Sequence, residues 1–223
     1  MRSDVEGAVV SSLDPVLRVR GVWKGYRRRP VLRGVSLDLL AGQLVGIVGE
    51  NGAGKSTLLR ILAGDLVADS GVVERAGRLG NCPQDTVLHQ AFTVEQHLQF
   101  FRTAYGISSL TRAFELLERL NFSDYRHDRV AALSGGTRQK LNLVLALMHD
   151  PQVLLLDEPY QGFDWDTYLR FWDVAADLRD RGCAVLVVSH LAHDASRLDT
   201  LYRLDAGLLQ ETEQTEAGTA AAV

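Results

Sequence analysis

Apolar positions change their spacing several times along the chain, and the changes divide it into regions. In 16-VLRVRGVW-23 and 33-RGVSLDLL-40 the pattern is strand-like. Val35, Leu37 and Leu39 recur every second residue, as in an antiparallel sheet with one face turned to solvent. The run 44-LVGIV-48 is short, apolar throughout and set between glycines, which predicts a strand buried on both faces. It leads into a glycine-rich segment and a predicted helix, 55-KSTLLRILAG-64, whose last glycine is suited to close it. Short β-like pieces near Val72 and Leu79 follow. From about Thr93 to His149 the spacing is helical, in 93-TVEQHLQFFRTAYG-106, 111-TRAFELLERL-120 and 130-VAALSGGTRQKLNLVLALMHD-150. Strand and helix then alternate again: 153-VLLL-156, 166-DTYLRFWDVAADLRDRG-182, 184-AVLVV-188 and a last β pair around 201-LYRLDAGLL-209.

This order predicts an α/β domain over 15–210, with a mainly parallel sheet, an N-terminal antiparallel β subdomain and an inserted α-helical subdomain at about 86–150. Residues 1–14 are expected to form a mobile arm. The segment 211-ETEQTEAGTAAAV-223 has no apolar period and is expected to be a disordered tail. No internal repeat is evident.

Composition narrows the function classes. At 223 residues and 46% hydrophobic, the chain can bury a full core. A net charge of −4 gives no electrostatic footprint for nucleic acid. Cys82 and Cys183 are far apart and too few to form a metal set, so they read as buried, reduced thiols. There is no signal-peptide pattern, and no apolar run reaches the roughly 18 residues of a membrane helix. A soluble chain is expected, with any role at a membrane exercised through a partner.

The segment 49-GENGAGKST-57 fits G-x-x-x-x-G-K-[ST]. Gly49, Gly52 and Gly54, with Asn51 and Ala53 between them, let backbone N–H groups wrap phosphates. The helix N-terminus adds positive potential there. Lys55 is placed to reach the β- and γ-phosphates, Ser56 to hold Mg²⁺, and Thr57 to join the loop in binding the nucleotide. Chance would produce such a match in a chain this long roughly 1% of the time, and the required strand and helix flank it. The segment is read as a nucleoside-triphosphate site.

Two carboxylates, Asp157 and Glu158, follow the apolar run 153-VLLL-156, where open α/β sheets place ligands. Alone the pair fits a solvated turn equally well. After a phosphate loop, Asp157 reads as a Mg²⁺ ligand acting through water, and Glu158 as the group that orients and deprotonates an attacking water. A lone histidine is usually structural, but His190 leaves the end of 184-AVLVV-188 at the same expected sheet edge.

Together the motifs resemble the ATP-binding subunit of ABC transporters over roughly 16–210, in that family's order, and 92-FTVEQHLQFFRTAYGI-107 is similar to exporters of the ABC-2 type. The resemblance implies that Tyr26 stacks on adenine, although by itself the residue is better explained as a strand or turn aromatic. It implies that Gln84 contacts Mg²⁺ and the reaction water, that His190 contacts the γ-phosphate, and that Asp164, in the loop after the catalytic carboxylate, helps to bind the nucleotide. It also implies that Ser134, Gly135 and Gly136 of 133-LSGG-136 face the γ-phosphate of a second ATP-binding subunit, two chains enclosing two ATP molecules. From the residues themselves, Ser134 is a good N-cap, and the glycines leave N–H groups open to an anion. Thr137 stands where the family most often has Gln. It keeps a hydroxyl and is expected to tune that contact. In 160-YQGFDW-165 the family usually reads S-G-L-D, and Trp165 adds bulk near the expected seam.

The expected function is an active ATPase driving substrate transport, export by resemblance, through an integral membrane permease on a separate chain. The cofactors would be ATP and Mg²⁺. A complete motif set makes a homodimer the simpler expectation, and the location would be the cytoplasmic face of the cell membrane. The alternatives are a soluble ABC-type ATPase in a non-transport process and a regulatory ATP-binding module. Phe100, Phe101 and Tyr105 fit a partner surface and core packing equally, and Arg27, Arg28 and Arg29 read as a solvated turn.

Overall fold

A computed structural model describes residues 14–27, 29–84, 88–190 and 194–212. Residues 1–13 of the expected N-terminal arm, Arg28 and the tail beyond Thr212 lie outside the described residues. Two sheets organise the chain. β1 (Leu17–Tyr26), β2 (Arg29–Leu39) and β4 (Ser70–Arg75) form an antiparallel sheet in the order β2-β1-β4. β3 (Leu44–Val48), β5 (Leu79–Cys82), β6 (Val153–Asp157), β7 (Ala184–Ser189), β8 (Thr200–Asp205) and β9 (Leu208–Thr212) form a second sheet, in the order β5-β6-β7-β3-β8-β9. All its pairings are parallel except the terminal hairpin β8–β9. β9 continues to Thr212, so Glu211 and Thr212, expected in the tail, pair with β8.

The continuous apolar runs have their reason in the packing. β3, β6 and β7 are buried along their whole length. Their side chains alternate between two cores. Val45, Ile47, Val153, Leu155 and Leu186 join the core shared with β1, β2 and the helix α1 (Lys55–Ala63). Leu44, Val48, Leu154, Leu156 and Val187 join the core on the other face, with α4 (Gly135–Leu147) and α5 (Trp165–Asp180). Burying both faces is what selects unbroken Val/Leu/Ile over alternation.

Between β5 and β6 lie α2 (Val94–Ala104), α3 (Thr111–Arg119), short 3₁₀ turns and α4. α2 begins with a capping box: Thr93 Oγ1 accepts from Gln96 N, and Gln96 Oε1 accepts from Thr93 N. α1 ends as its sequence predicts, at Gly64 with φ 88°. α4 closes the insertion and also covers the sheet. A Cβ on Gly80 would sit 2.3 Å from Ala146 O, so β5 and α4 meet backbone to backbone. Of the α2 aromatics, Phe101 packs against the core and Tyr105 stacks on His149, whereas Phe100 is 60% exposed. Both cysteines are buried and free, and burial pushes the Cys183 thiol up to about 12. Arg27 and Arg29 are exposed at the β1–β2 turn. Among the described residues no helix is long and apolar enough to cross a membrane.

Candidate functional site

Strand register brings three segments to one edge of the parallel sheet. Val48, the last residue of β3, pairs with Ser189, and Asp157, the last of β6, pairs with Val188. The chain leaving β3 is therefore neighbour to the chains leaving β6 and β7, all at carboxyl ends of parallel strands.

After β3 the backbone turns tightly into α1. Gly49 is required by a close approach, since a Cβ there would lie 2.3 Å from Leu204 O in β8. Gly54 caps α1 with φ 106°, and among the described residues no side chain caps this helix. Its first N–H groups and the positive end of its dipole are thus offered to an anion. Lys55 is only 7% exposed, and its Nζ donates to Gly49 O (2.6 Å) and Glu50 O (3.0 Å), holding the ammonium inside the loop. Asn51, Gly52, Gly54, Lys55, Ser56 and Thr57 line a cavity of about 490 Å³, and Val31, Gln84 and Glu158 complete its wall. An uncapped helix end, a buried cation and hydroxyls at the first turn fit a polyphosphate carrying a hard divalent cation.

Glu158 has φ 47°, a left-handed conformation that costs a non-glycine residue on the order of 1–3 kcal/mol. Its N–H donates to Val188 O (2.9 Å), and its Oε1 lies 3.1 Å from His190 Nδ1. The strained turn aims the carboxylate, 12% exposed, at the cavity, while the histidine, 46% exposed, reaches it from the next strand. Asp157 is buried at the end of β6. Gln84 Nε2 donates to Gln161 Oε1 at 3.5 Å, which connects the segment after β5 to the loop after Glu158.

The LSGG segment is built around an N-cap. Ser134 is extended (φ −65°, ψ 167°), and its Oγ accepts from Thr137 N at 3.1 Å. Its two glycines differ. A Cβ on Gly136 would sit 2.2 Å from Gly162 O, so that glycine is demanded by the loop after Glu158. A Cβ on Gly135 would meet nothing within 4 Å, so no contact among the described residues requires a glycine there. Asp164 Oδ1 accepts from Thr167 N (2.7 Å) and caps α5; that amide holds its carboxyl below the ordinary range. Trp165, 71% exposed, stacks on Tyr168 at 5.2 Å.

The structure thus gathers Asn51, Gly52, Gly54, Lys55, Ser56, Thr57, Gln84 and Glu158 around one cavity, with His190 on Glu158. Gly49 and Ala53 support it, Gly49 against β8 and Ala53 against the core around α1. Ser134, Gly135, Gly136 and Asp164 are not among its lining residues. Nor is Tyr26, which ends β1 with an exposed ring and Lys24 Nζ 5.9 Å from its centroid. Val31 was missed from the sequence. A valine in a strand carries no chemical signal, and only its place against Gly54, whose Cβ would lie 3.0 Å from Val31 O, identifies it.

The fold and this loop define the class before any relative is considered: a nucleotide-binding cassette, built on a phosphate-loop sheet with a helical insertion. The ABC transporter family matches residues 32–161, well over half of the chain, and the chain belongs to that family. It is 35% identical over 209 residues to the Nod factor export ATP-binding protein I of Ralstonia nicotianae, covering 86% of this chain and 65% of that protein. An uncharacterized ABC transporter ATP-binding protein of Methanocaldococcus jannaschii is 30% identical over 189 residues, 83% of this chain and 72% of its own. The linearmycin resistance ATP-binding protein of Bacillus subtilis is 29% identical over 220 residues, 92% and 69%. The chain therefore spans about two thirds of the length of these relatives. A solved ATP-binding subunit of an ABC transporter superposes with TM-score 0.83 at 26% identity, over 88% of this chain and 89% of that one. A bacterial cassette solved as a dimer shares the fold, with TM-score 0.82 at 24% identity over 89% and 98%.

Proposed function

We propose that the chain binds and hydrolyses ATP with Mg²⁺ and that this drives transport, in the export direction, through a separate membrane permease. The observation that carries the reading is the division of the motifs. One cavity holds the phosphate loop, Gln84 and Glu158, while the open N–H end of α4 at Ser134 and Gly135 lies outside its wall. A second copy, head to tail, would bring that end to the γ-phosphate held by its partner, and Asp164 and Trp165 would stand at the seam. Binding then closes the pair and hydrolysis releases it, the two-state element a transport motor needs.

Mg²⁺ supplies charge neutralisation on the phosphates. Ser56 and Gln84 would hold it directly and Asp157 through water, in an all-oxygen set suited to a hard cation. Lys55 and the α1 N–H groups orient the β- and γ-phosphates. Glu158, aimed by its strained backbone, orients the attacking water and takes its proton, and His190 holds that carboxylate in place and reaches the γ-phosphate. Tyr26 stacks on the adenine face beyond the cavity. The names of the relatives, Nod factor export and linearmycin resistance, support export rather than import. The chain then works at the cytoplasmic face of the membrane, and a homodimer suffices because each copy carries every motif. The test is purification from membranes of the native host together with an ATPase assay. Recovery with a multi-span membrane protein and loss of turnover in Glu158→Gln are expected. An assembly of soluble proteins alone, or an unaffected Glu158→Gln, would overturn the reading.

A further inference from the structure

The geometry points to Thr137 as a positioning residue that makes the Ser134 hydroxyl a pure donor toward the phosphate of a second copy's ATP. The inference rests on the reading of LSGG as a contact between chains and assigns a role within it. A serine hydroxyl has one proton to donate and two lone pairs to accept with. Thr137 N donates to Ser134 Oγ at 3.1 Å, and Thr137 Oγ1 lies 2.7 Å from the same oxygen. When the threonine hydroxyl donates, both lone pairs of Ser134 are filled. Its own proton then has nowhere to go but outward, from an exposed position at the mouth of α4.

The same chain shows that this arrangement is not the default for its position. At the start of α2, Gln96 stands three residues after its N-cap, as Thr137 stands after Ser134. The Gln96 side chain bonds the backbone N–H of Thr93, and among the described residues the Thr93 hydroxyl is bonded by the Gln96 N–H alone. At α4 the third residue is short and carries a hydroxyl, so it bonds the capping oxygen instead. An oxygen accepting two hydrogen bonds is a stronger donor, because bonds in a chain polarise one another. The donor that faces an anion is thus strengthened from behind, by a residue that touches no phosphate itself.

The experiment uses the full chain carrying Glu158→Gln, so that bound ATP persists, and reads ATP-dependent dimer formation by light scattering. Thr137→Val keeps the shape and removes the hydroxyl, and Thr137→Ser keeps the hydroxyl. Polarisation by a second bond strengthens a hydrogen bond by about 10–30%, and a bond to a charged group is worth roughly 1.5–3 kcal/mol, so Thr137→Val should raise the dimer dissociation constant about 2- to 20-fold over two sites. Thr137→Ser should restore it to within about twofold. Binding of ATP to the monomer and the urea midpoint should stay as in the parent, because the Thr137 N–H still caps Ser134. Equal dimer formation by the Val variant and its parent overturns the role of Thr137 and leaves the cross-chain reading standing. If the parent forms no ATP-dependent dimer, the cross-chain reading fails and this inference with it.

Discussion

Replacing Gly135 and Gly136 by alanine, one at a time, should separate two reasons for glycine in adjacent residues of one helix. A Cβ on Gly136 would lie 2.2 Å from Gly162 O, so the α4 N-terminus and the loop after Glu158 must move apart. Overpacking of this kind costs roughly 1–3 kcal/mol, of which the helix propensity of alanine returns about 0.5–1 kcal/mol. Gly136→Ala should therefore be destabilised by up to about 2.5 kcal/mol. A Cβ on Gly135 meets nothing within 4 Å, so that variant keeps the propensity gain, between 0 and about 1 kcal/mol, with no opposing clash. With a urea m-value of about 2 kcal/mol/M, the two midpoints should differ by roughly 0.5–1.5 M, Gly135→Ala the higher. Yet Gly135→Ala should form ATP-dependent dimers more weakly than the parent, because its methyl group enters the space where the partner's phosphate is received. Equal midpoints, or a less stable Gly135→Ala, would refute the reasoning, since Gly135 would then serve the fold of its own chain.

Asp164 caps α5 through the Thr167 amide, so Asp164→Ala should cost about 1 kcal/mol in urea unfolding and Asp164→Asn much less. His97 gives a pH prediction. Its Nε2 accepts from His89 N (3.0 Å) and its Nδ1 lies 3.0 Å from Thr93 O, so the folded ring is neutral; burial, first among the causes, lowers its pKa from 6.5. The unfolded chain therefore binds the proton first as pH falls. The stability this ring contributes is complete above about pH 6.5 and declines as pH falls from there through the lower folded value. Urea midpoints at pH 7.5 and 5.5 should fall further for the parent than for His97→Gln; an equal drop in both would contradict the assignment.

Most of the sheet was legible from spacing alone, because the constraint that selects apolar runs is burial on both faces, and β3, β6 and β7 meet it throughout. The phosphate loop was legible because its chemistry fixes residue types at fixed intervals. Contacts between loops distant in sequence were not. Nothing in LSGG reveals that Gly136 is held by Gly162 while Gly135 meets no described residue, since that difference is made by a backbone oxygen 26 residues away. The cap made by Asp164 was hidden for a similar reason: the resemblance points to the nucleotide, but the carboxylate caps a helix within its own chain. Val31 escaped because an apolar wall has no signature. The boundary of the tail was misplaced because β9 is a half-exposed edge strand, and Glu211 and Thr212 join it through backbone pairing that polarity does not report.

The central claim, that LSGG of one copy serves the ATP of another, is tested most directly by mixing two inactive chains. Lys55→Ala destroys a phosphate loop and leaves LSGG intact, and Ser134→Arg does the reverse. Each alone should fail to form ATP-dependent dimers and to hydrolyse ATP. If the motifs act across the pair, a mixed dimer joins the intact loop of one chain to the intact LSGG of the other, and dimer formation and turnover return on mixing. A mixture as inactive as its components, or a Ser134→Arg chain that turns over ATP unaided, would contradict the account.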